Sequence, residues 1–281
     1  MSRRAARHPQ SGRAVSGMLL VDKPVGPSSF AVVRRIRQRV GGKVGHAGTL
    51  DPLASGLLLI VVGQATRLAR YLVGLDKRYV TEIELGLRTT TGDAEGEQVE
   101  RPPVPDDLPA ALAGLTGEIE LAVPAASAVK VGGERAYRLH RQGVAVEMPV
   151  RETEVHSIEI LRYDPPVAEL ELHVASGTYV RAIADALGGH CRALRRTAVG
   201  PFSIEQADDD RVLPPREALP FLPELVLTPE EVGRVLSGRA VERPGEGRAR
   251  LTFDEKLVAV ARLGGGFARP ETVVLKAGGA A

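Results

Sequence analysis

Apolar residues along this chain fall into helical, alternating and continuous patterns, and each pattern predicts a different element. Met18 to Val21 reads as a short strand, followed by the punctuated loop Asp22-Lys23-Pro24-Val25-Gly26-Pro27. Ser28 and Ser29 supply an N-cap, after which Phe30, Val33, Ile36 and Val40 recur at helical spacing until Gly41-Gly42 ends the run. The other face of that helix carries Arg34, Arg35, Arg37 and Arg39, which is either a solvated surface or a phosphate-facing one. Residues 43–56 have no periodicity and read as a structured loop. They run directly into Leu57 to Val62, six consecutive apolar residues that predict a strand buried on both faces.

Farther on, Thr66 to Val73 suits a short helix. Arg78 to Leu87 alternates, with Tyr79, Thr81, Ile83 and Leu85 on one face and Glu82 and Glu84 on the other. A helix over Asp107 to Leu115, a strand over Glu118 to Val123 and an amphipathic helix over Glu134 to Gln142 follow. Strand patterns return at Thr153 to Tyr163 and Ala168 to Ala175, then a helix at Tyr179 to Leu187 and a strand at Leu194 to Phe202. Helices interspersed without strict alternation predict an α+β domain with a mixed, largely antiparallel sheet and an inserted loop region. Four prolines between 213 and 225 mark a linker. Beyond it, a helix near Pro229 to Leu236 and three or four strand-like runs up to Leu275 form a small β-rich unit. The expected organisation is an arm (1–17), a large domain (18–212), a linker (213–225) and a small domain (226–281).

Composition changes this picture little: 43% hydrophobic against 26% charged residues is that of a folded protein. The net charge is only +2, but its distribution is uneven. Residues 1–50 hold ten Lys or Arg and one acid, Asp22, whereas residues 93–120 hold eight acids and one base. A basic end beside an acidic segment points to one face turned toward a polyanion, or to a basic tail and a solvated helix face. Cys191 is the only cysteine, so an intrachain disulfide is excluded and a reducing, cytoplasmic setting expected. The six histidines lack metal-ligand spacing, and no apolar run approaches the roughly 18 residues of a membrane span. The segment 1–17 is basic without a hydrophobic stretch, so it reads as a flexible arm and not as a secretory signal.

The chemistry concentrates in Gly45-His46-Ala47-Gly48-Thr49-Leu50-Asp51-Pro52-Leu53-Ala54-Ser55-Gly56. Glycines allow close backbone approach to a ligand, and Pro52 biases Asp51 toward an extended conformation. An Asp-Pro turn that merely reverses the chain is the plain alternative. The length of the loop, its glycines and its attachment to a buried strand favour a carboxylate fixed at a surface depression.

GHAGTLDPLASG resembles the signature around the catalytic aspartate of the TruB-type tRNA pseudouridine-55 synthases. VDKPVGPSS, DKRYV, SGTYVRAIADALG and LRRTAVGPF resemble that family's other motifs, in family order across residues 18–205. The resemblance implies that Asp51 is the essential nucleophile or base, that Tyr79 stacks on the target uracil and that Arg181 pairs with the Asp51 carboxylate. It implies further that His46 fills the space left in the RNA by the extruded nucleotide, while Lys23, Pro24 and Tyr179 shape the pocket. Gly45, Gly48 and Thr49 of the same loop are expected to border the substrate, and Lys130 to reach phosphate. Each has a plainer reading: Tyr79 as a half-buried strand residue, Arg181 as a surface helix residue, His46 as a locally satisfied loop histidine.

Residues 124–151 correspond to a mobile insertion that clamps the RNA loop, with a departure at Ala126, where relatives often carry a bulkier side chain. The segment 226–281 takes the place of the family's PUA domain. The implied partner is the T-arm of tRNA, the basic N-terminal region and the Arg192, Arg195, Arg196 cluster being further sources of phosphate contacts. No membrane, metal or obligatory protein partner is expected. No cofactor is expected either, because isomerising uridine changes neither composition nor oxidation state. Two other readings stay open: a glycosidase-like hydrolase, which needs a second carboxyl group such as Asp93, and a non-catalytic tRNA-binding chaperone.

Overall fold

The computed structural model describes residues 15–275, apart from positions 128 and 145. Most of the arm expected at 1–17 lies outside the described residues. The strands β1 (Gly17–Lys23), β2 (Val44–Ala47), β3 (Ala54–Val62), β4 (Lys77–Leu85), β5 (Gly117–Ala122), β6 (Val150–Asp164), β7 (Val167–Val174), β8 (Gly189–Val199) and β9 (Asp208–Leu213) build the large domain, with helices α1 (Ser29–Val40) and α2 (Val180–Ala186). They form a ten-stranded sheet in the order β9-β1-β3-β8-β4-β7-β6-β5, to which β2 adds along β3 and a two-residue strand along β8. All neighbours are antiparallel except β3 and β8, which run parallel with Leu194 opposite Ala54 and Arg196 opposite Gly56. The sheet is mixed and largely antiparallel.

β3 is covered on both sides, as its unbroken apolar run requires. Leu58, Ile60 and Val62 face a core shared with α1 and α2. Leu57, Leu59 and Val61 face a second cluster. α1 is capped by the Ser28 hydroxyl, which accepts from the Ala31 backbone N–H at 3.2 Å. Its buried face is Ser29, Val32, Val33 and Ile36, so Phe30 is not part of the core, being 63% exposed. Ser29 takes the inward place because its hydroxyl accepts from Leu50 N at 2.8 Å and donates to Leu50 O at 2.9 Å. That exchange ties the helix to the Asp51 loop.

The loop expected over 43–56 is shorter than its composition implies. Val44 to Ala47 pair with β3, Val44 opposite Val62 and Ala47 opposite Leu59, leaving only Gly48 to Leu53 irregular. Four residues that include Gly45 and His46 carry too little apolar pattern to show as a strand.

In the small unit, Glu224–Val226, Gly247–Phe253, Lys256–Gly264, Phe267–Val273 and Val241–Glu242 form a five-stranded sheet against the helix Pro229–Leu236. The proline-rich segment before it is packed: Ala218 and Leu219 are fully buried. They join Leu257 and Val260 of the small sheet, and Val274 just after it, in one apolar cluster with Met18, Leu20, Leu57 and Leu59 of the large one. Tyr71 Oη and Thr272 Oγ1 lie 2.7 Å apart across the same junction.

Candidate active site

At the open end of β4 and β8 lies a cleft of about 270 Å³, lined among others by Gly48, Thr49, Asp51, Tyr79, Tyr179 and Arg181. The volume suits one planar ring rather than a drug-sized ligand. Asp51 follows Leu50, whose backbone Ser29 holds at both ends, and Gly26 N donates to Pro52 O at 2.8 Å. The carboxylate is thus braced from two sides by the segment 23–29.

Arg181, on the first turn of α2, is 3% exposed. Its Nε and Nη2 both donate to Asp51 Oδ2, at 3.1 and 2.8 Å. Two donors converge on one oxygen, and among the described residues no hydrogen bond reaches Oδ1. The pair therefore combines a charge-assisted anchor with a free reactive atom. The remaining guanidinium contacts run to Thr91 O at 2.5 Å, Ala126 O at 3.0 Å and Asp93 Oδ2 at 3.5 Å. A cation this buried needs each of them.

Asp93 is only 4% exposed, and its Oδ1 accepts from Thr91 Oγ1 at 2.6 Å and Glu95 N at 3.1 Å. It does not line the cleft. Asp93 is an anchor for Arg181, so the second pocket carboxylate that a glycosidase reading requires is not supplied by this residue.

Arg196 corrects an expectation in the other direction. It is 1% exposed and cannot bind phosphate; its Nε, Nη2 and Nη1 donate to Leu57 O at 2.7 Å, Gly48 O at 3.1 Å and Thr49 O at 3.4 Å. Irregular backbone leaves carbonyls without ladder partners, and one guanidinium satisfies those of Gly48 and Thr49 together with that of Leu57 on β3. Gly56, opposite Arg196 in the β3–β8 pairing, lets the two backbones meet there, since a Cβ would stand 2.2 Å from the Arg196 backbone O, at a φ of +103°. The sequence offers Asp93 as a second carboxyl group and Arg196 as a phosphate contact but not their buried roles, because a buried charge looks there like any surface charge. Arg192 and Arg195 are solvent-accessible, Arg195 pairing with Asp22 at 2.7 Å.

Lys23 is fully buried behind the loop, donating to Pro24 O at 2.9 Å and Pro27 O at 2.8 Å. Burial pulls its pKa down, Asp51 pushes it up and Arg196 lowers it again. Pro24 is exposed. Gly45 and His46 lie on β2, and the buried His46 Nδ1 has no hydrogen-bond partner among the described residues. Burial, then Arg196, lowers the His46 pKa, which favours the neutral ring. Lys130 is exposed on a ribbon pairing Lys130–Val131 with Glu134–Arg135, away from the cleft wall. The helix expected over 134–142 begins only at Ala136 because Glu134 and Arg135 are taken into that ribbon.

Lys77 and Ser176, neither singled out in the sequence, also line the cleft. Lys77 Nζ donates to Ser176 Oγ at 2.8 Å and Val73 O at 2.7 Å, and also to Leu75 O. Burial first and the Arg196 charge second bring its pKa down to about 8, against the opposing pull of Asp76.

Solved structures share this architecture. A chain of a Cbf5-Nop10-Gar1 complex matches with a TM-score of 0.69 at 25% identity, over 92% of this chain and 85% of that one. A chain of an H/ACA RNP bound to a substrate RNA containing 2′-deoxyuridine matches with a TM-score of 0.70 at 24% identity, over the same shares. The fold class is accordingly a mixed α+β catalytic domain followed by a PUA-like domain. Residues 34–180 match the family model described as TruB family pseudouridylate synthase, N-terminal domain. The tRNA pseudouridine synthase B of Cupriavidus metallidurans is 41% identical over 93% of this chain and 95% of its own length. That of Thermobifida fusca is 42% identical over 92% and 98%. The chain belongs to the TruB family of pseudouridylate synthases.

Proposed function

We propose that the cleft receives the T-loop uridine of tRNA, at position 55, after that nucleotide has been flipped out of its stack, and that Asp51 carries the chemistry. As a pseudouridine synthase the chain is an isomerase acting on uridine in tRNA. The reaction breaks the bond from C1′ to N1 of uracil, rotates the ring and joins C1′ to C5; the C5 hydrogen leaves as a proton and N1 gains one. Atoms and electrons balance without a co-reactant.

The observation that carries this reading is the Asp51–Arg181 pair at the cleft wall, with one carboxylate oxygen held and the other free. Asp51 is the nucleophile or base, Arg181 fixes its charge and orientation, and Tyr79 offers the flipped uracil a stacking face. Tyr179, Gly48 and Thr49 border the ring. Lys23 and Pro24 support the loop from behind, while Gly45 and His46 present the imidazole to the RNA. Flipping costs a few kcal/mol, which phosphate contacts offset. Residues 124–151, with Lys130 exposed, close over the RNA loop, and residues 226–281 add a second RNA contact. Ala126 contributes its carbonyl to Arg181, a contact independent of side-chain size.

Incubating the protein with an unmodified tRNA transcript and mapping pseudouridine nucleotide by nucleotide tests the proposal. Modification confined to uridine 55, on whole tRNA and on a folded T-arm hairpin, is expected. Binding without modification would favour the chaperone reading, and release of free uracil would favour a hydrolase.

A further inference from the structure

The six histidines show no metal-ligand spacing in sequence, yet the sheet sets two of them side by side. The β6–β7 register shifts between the pairs Val155↔Val174 and Ser157↔His173, leaving His156 as the extra residue. A bulge re-aims the side chain it carries, and here the ring centroids of His156 and His173 stand 4.5 Å apart at 53°. Asp76 immediately precedes β4, whose Lys77 and Arg78 pair with Val174 and His173.

We propose that Asp76, His156 and His173 form a site for one divalent first-row transition ion, with zinc the best match to two imidazoles and a carboxylate. Asp76 Oδ2 lies 3.4 Å from His156 Nε2 and 3.9 Å from His173 Nε2, and one donor atom from each residue falls within 4.8 Å of the others. Tetrahedral zinc with bonds of about 2.0–2.1 Å sets neighbouring donors roughly 3.3–3.4 Å apart, so both Asp76 separations lie within about 0.6 Å of that spacing, and the imidazoles close the remainder by rotating toward the ion. His156 Nε2 is buried and without a hydrogen bond among the described residues. Its other nitrogen, Nδ1, is 3.2 Å from Glu154 Oε1. That is the carboxylate–imidazole arrangement that fixes the tautomer of a metal-ligating histidine.

The two rings are about a quarter exposed and Asp76 about half, so water can complete the coordination. The three ligands come from the start of β4 and from β6 and β7, one residue before the Lys77 that lines the cleft. The ion braces these strands and takes no part in the chemistry at Asp51.

The full-length protein, stripped with a chelator, is titrated with zinc chloride by calorimetry and with cobalt(II) by visible absorption. One equivalent binding at micromolar or tighter Kd, the absorption of four-coordinate cobalt and a zinc-dependent rise in Tm are expected. His156→Gln with His173→Gln should abolish all three. Glu154→Gln, which touches no ligand atom, should weaken zinc by about 10–100-fold. Should the double variant fail to fold, Asp76→Asn and Glu154→Gln decide. Zinc bound equally by these variants and the parent, or no binding up to about 1 mM, overturns the site.

Discussion

Replacing Asp51 by Asn keeps the side chain's shape and exchanges its charge for an amide dipole. In the parent, Arg181 gives Asp51 Oδ2 two charge-assisted hydrogen bonds; such bonds contribute about 1.5–3 kcal/mol each when fully buried. The Asp51 side chain is 35% exposed, which screens that contribution. The amide oxygen can still accept from the guanidinium, and Asp93, Thr91 O and Ala126 O still hold Arg181. The expected destabilisation is therefore only about 1–2 kcal/mol, and RNA affinity should stay within a few-fold of the parent. Catalysis has no such reserve, because an amide is neither nucleophile nor base. Single-turnover release of tritium from C5-labelled uridine, with enzyme in excess, should fall by at least about 10³-fold. Filter binding and thermal unfolding on the same preparation separate the three effects. A folded Asp51→Asn protein that forms pseudouridine near the parental rate would refute the assignment, and one that loses RNA binding would show the carboxylate to be a docking group.

Four other substitutions or conditions bear on the same framework. Arg181→Ala leaves Asp93 buried without its cation, so a loss of about 3–5 kcal/mol in denaturant unfolding should accompany loss of activity; an unchanged midpoint would contradict the anchoring role of Asp93. Ser29→Ala orphans Leu50 N and O, and should cost about 1–3 kcal/mol and reduce turnover without altering binding at saturating enzyme. For Lys77, with a pKa down to about 8 from an ordinary 10.5, the unfolded chain binds more protons between those values, so its contribution to stability rises with pH across that window. Lys77→Met should remove that rise, and stability differences between the two proteins that stay constant with pH would refute it. RNA affinity should fall steeply with added salt through counterion release, and a flat dependence would count against a basic RNA face.

The elements most legible in the sequence are those whose pattern is long or unbroken. Leu57 to Val62 could only be a strand covered on both faces, and the alternation around Tyr79 fixes which side of β4 is buried. α1 was legible in its existence but not its rotation, because Ser29 outcompetes Phe30 for the inward place through two hydrogen bonds that no hydropathy pattern contains. β6 extends over 15 residues, longer than the alternation suggests, because Val150, Arg151 and Glu152 at its start pair with Ala122, Leu121 and Glu120 of β5. At the site, Asp51, Tyr79, Tyr179 and Arg181 could be named from motifs and do share one cleft. Asp93 and Arg196 could be named only for roles they do not play, since their function lies in burial, and burial of a charge depends on partners 88 and 139–148 residues away in Arg181 and the Gly48, Thr49 and Leu57 backbone. The proline-rich segment misled as a connector: its prolines shape turns that deliver Ala218 and Leu219 to a core.

That core has a consequence for how a substrate is judged. Because Met18 and Leu20 of the large sheet and Leu257 and Val260 of the small one are packed in a single cluster, the span from the cleft to the PUA-like unit is a fixed length. Close-packed interiors resist small deformation. An RNA that touches both ends is then gauged as by a ruler: an arm of the matching length gains both contacts, and one a base pair longer or shorter must give one up or bend. Discrimination of this kind needs no base to be read along the way, and it would persist under any change of sequence that preserves the helical rise.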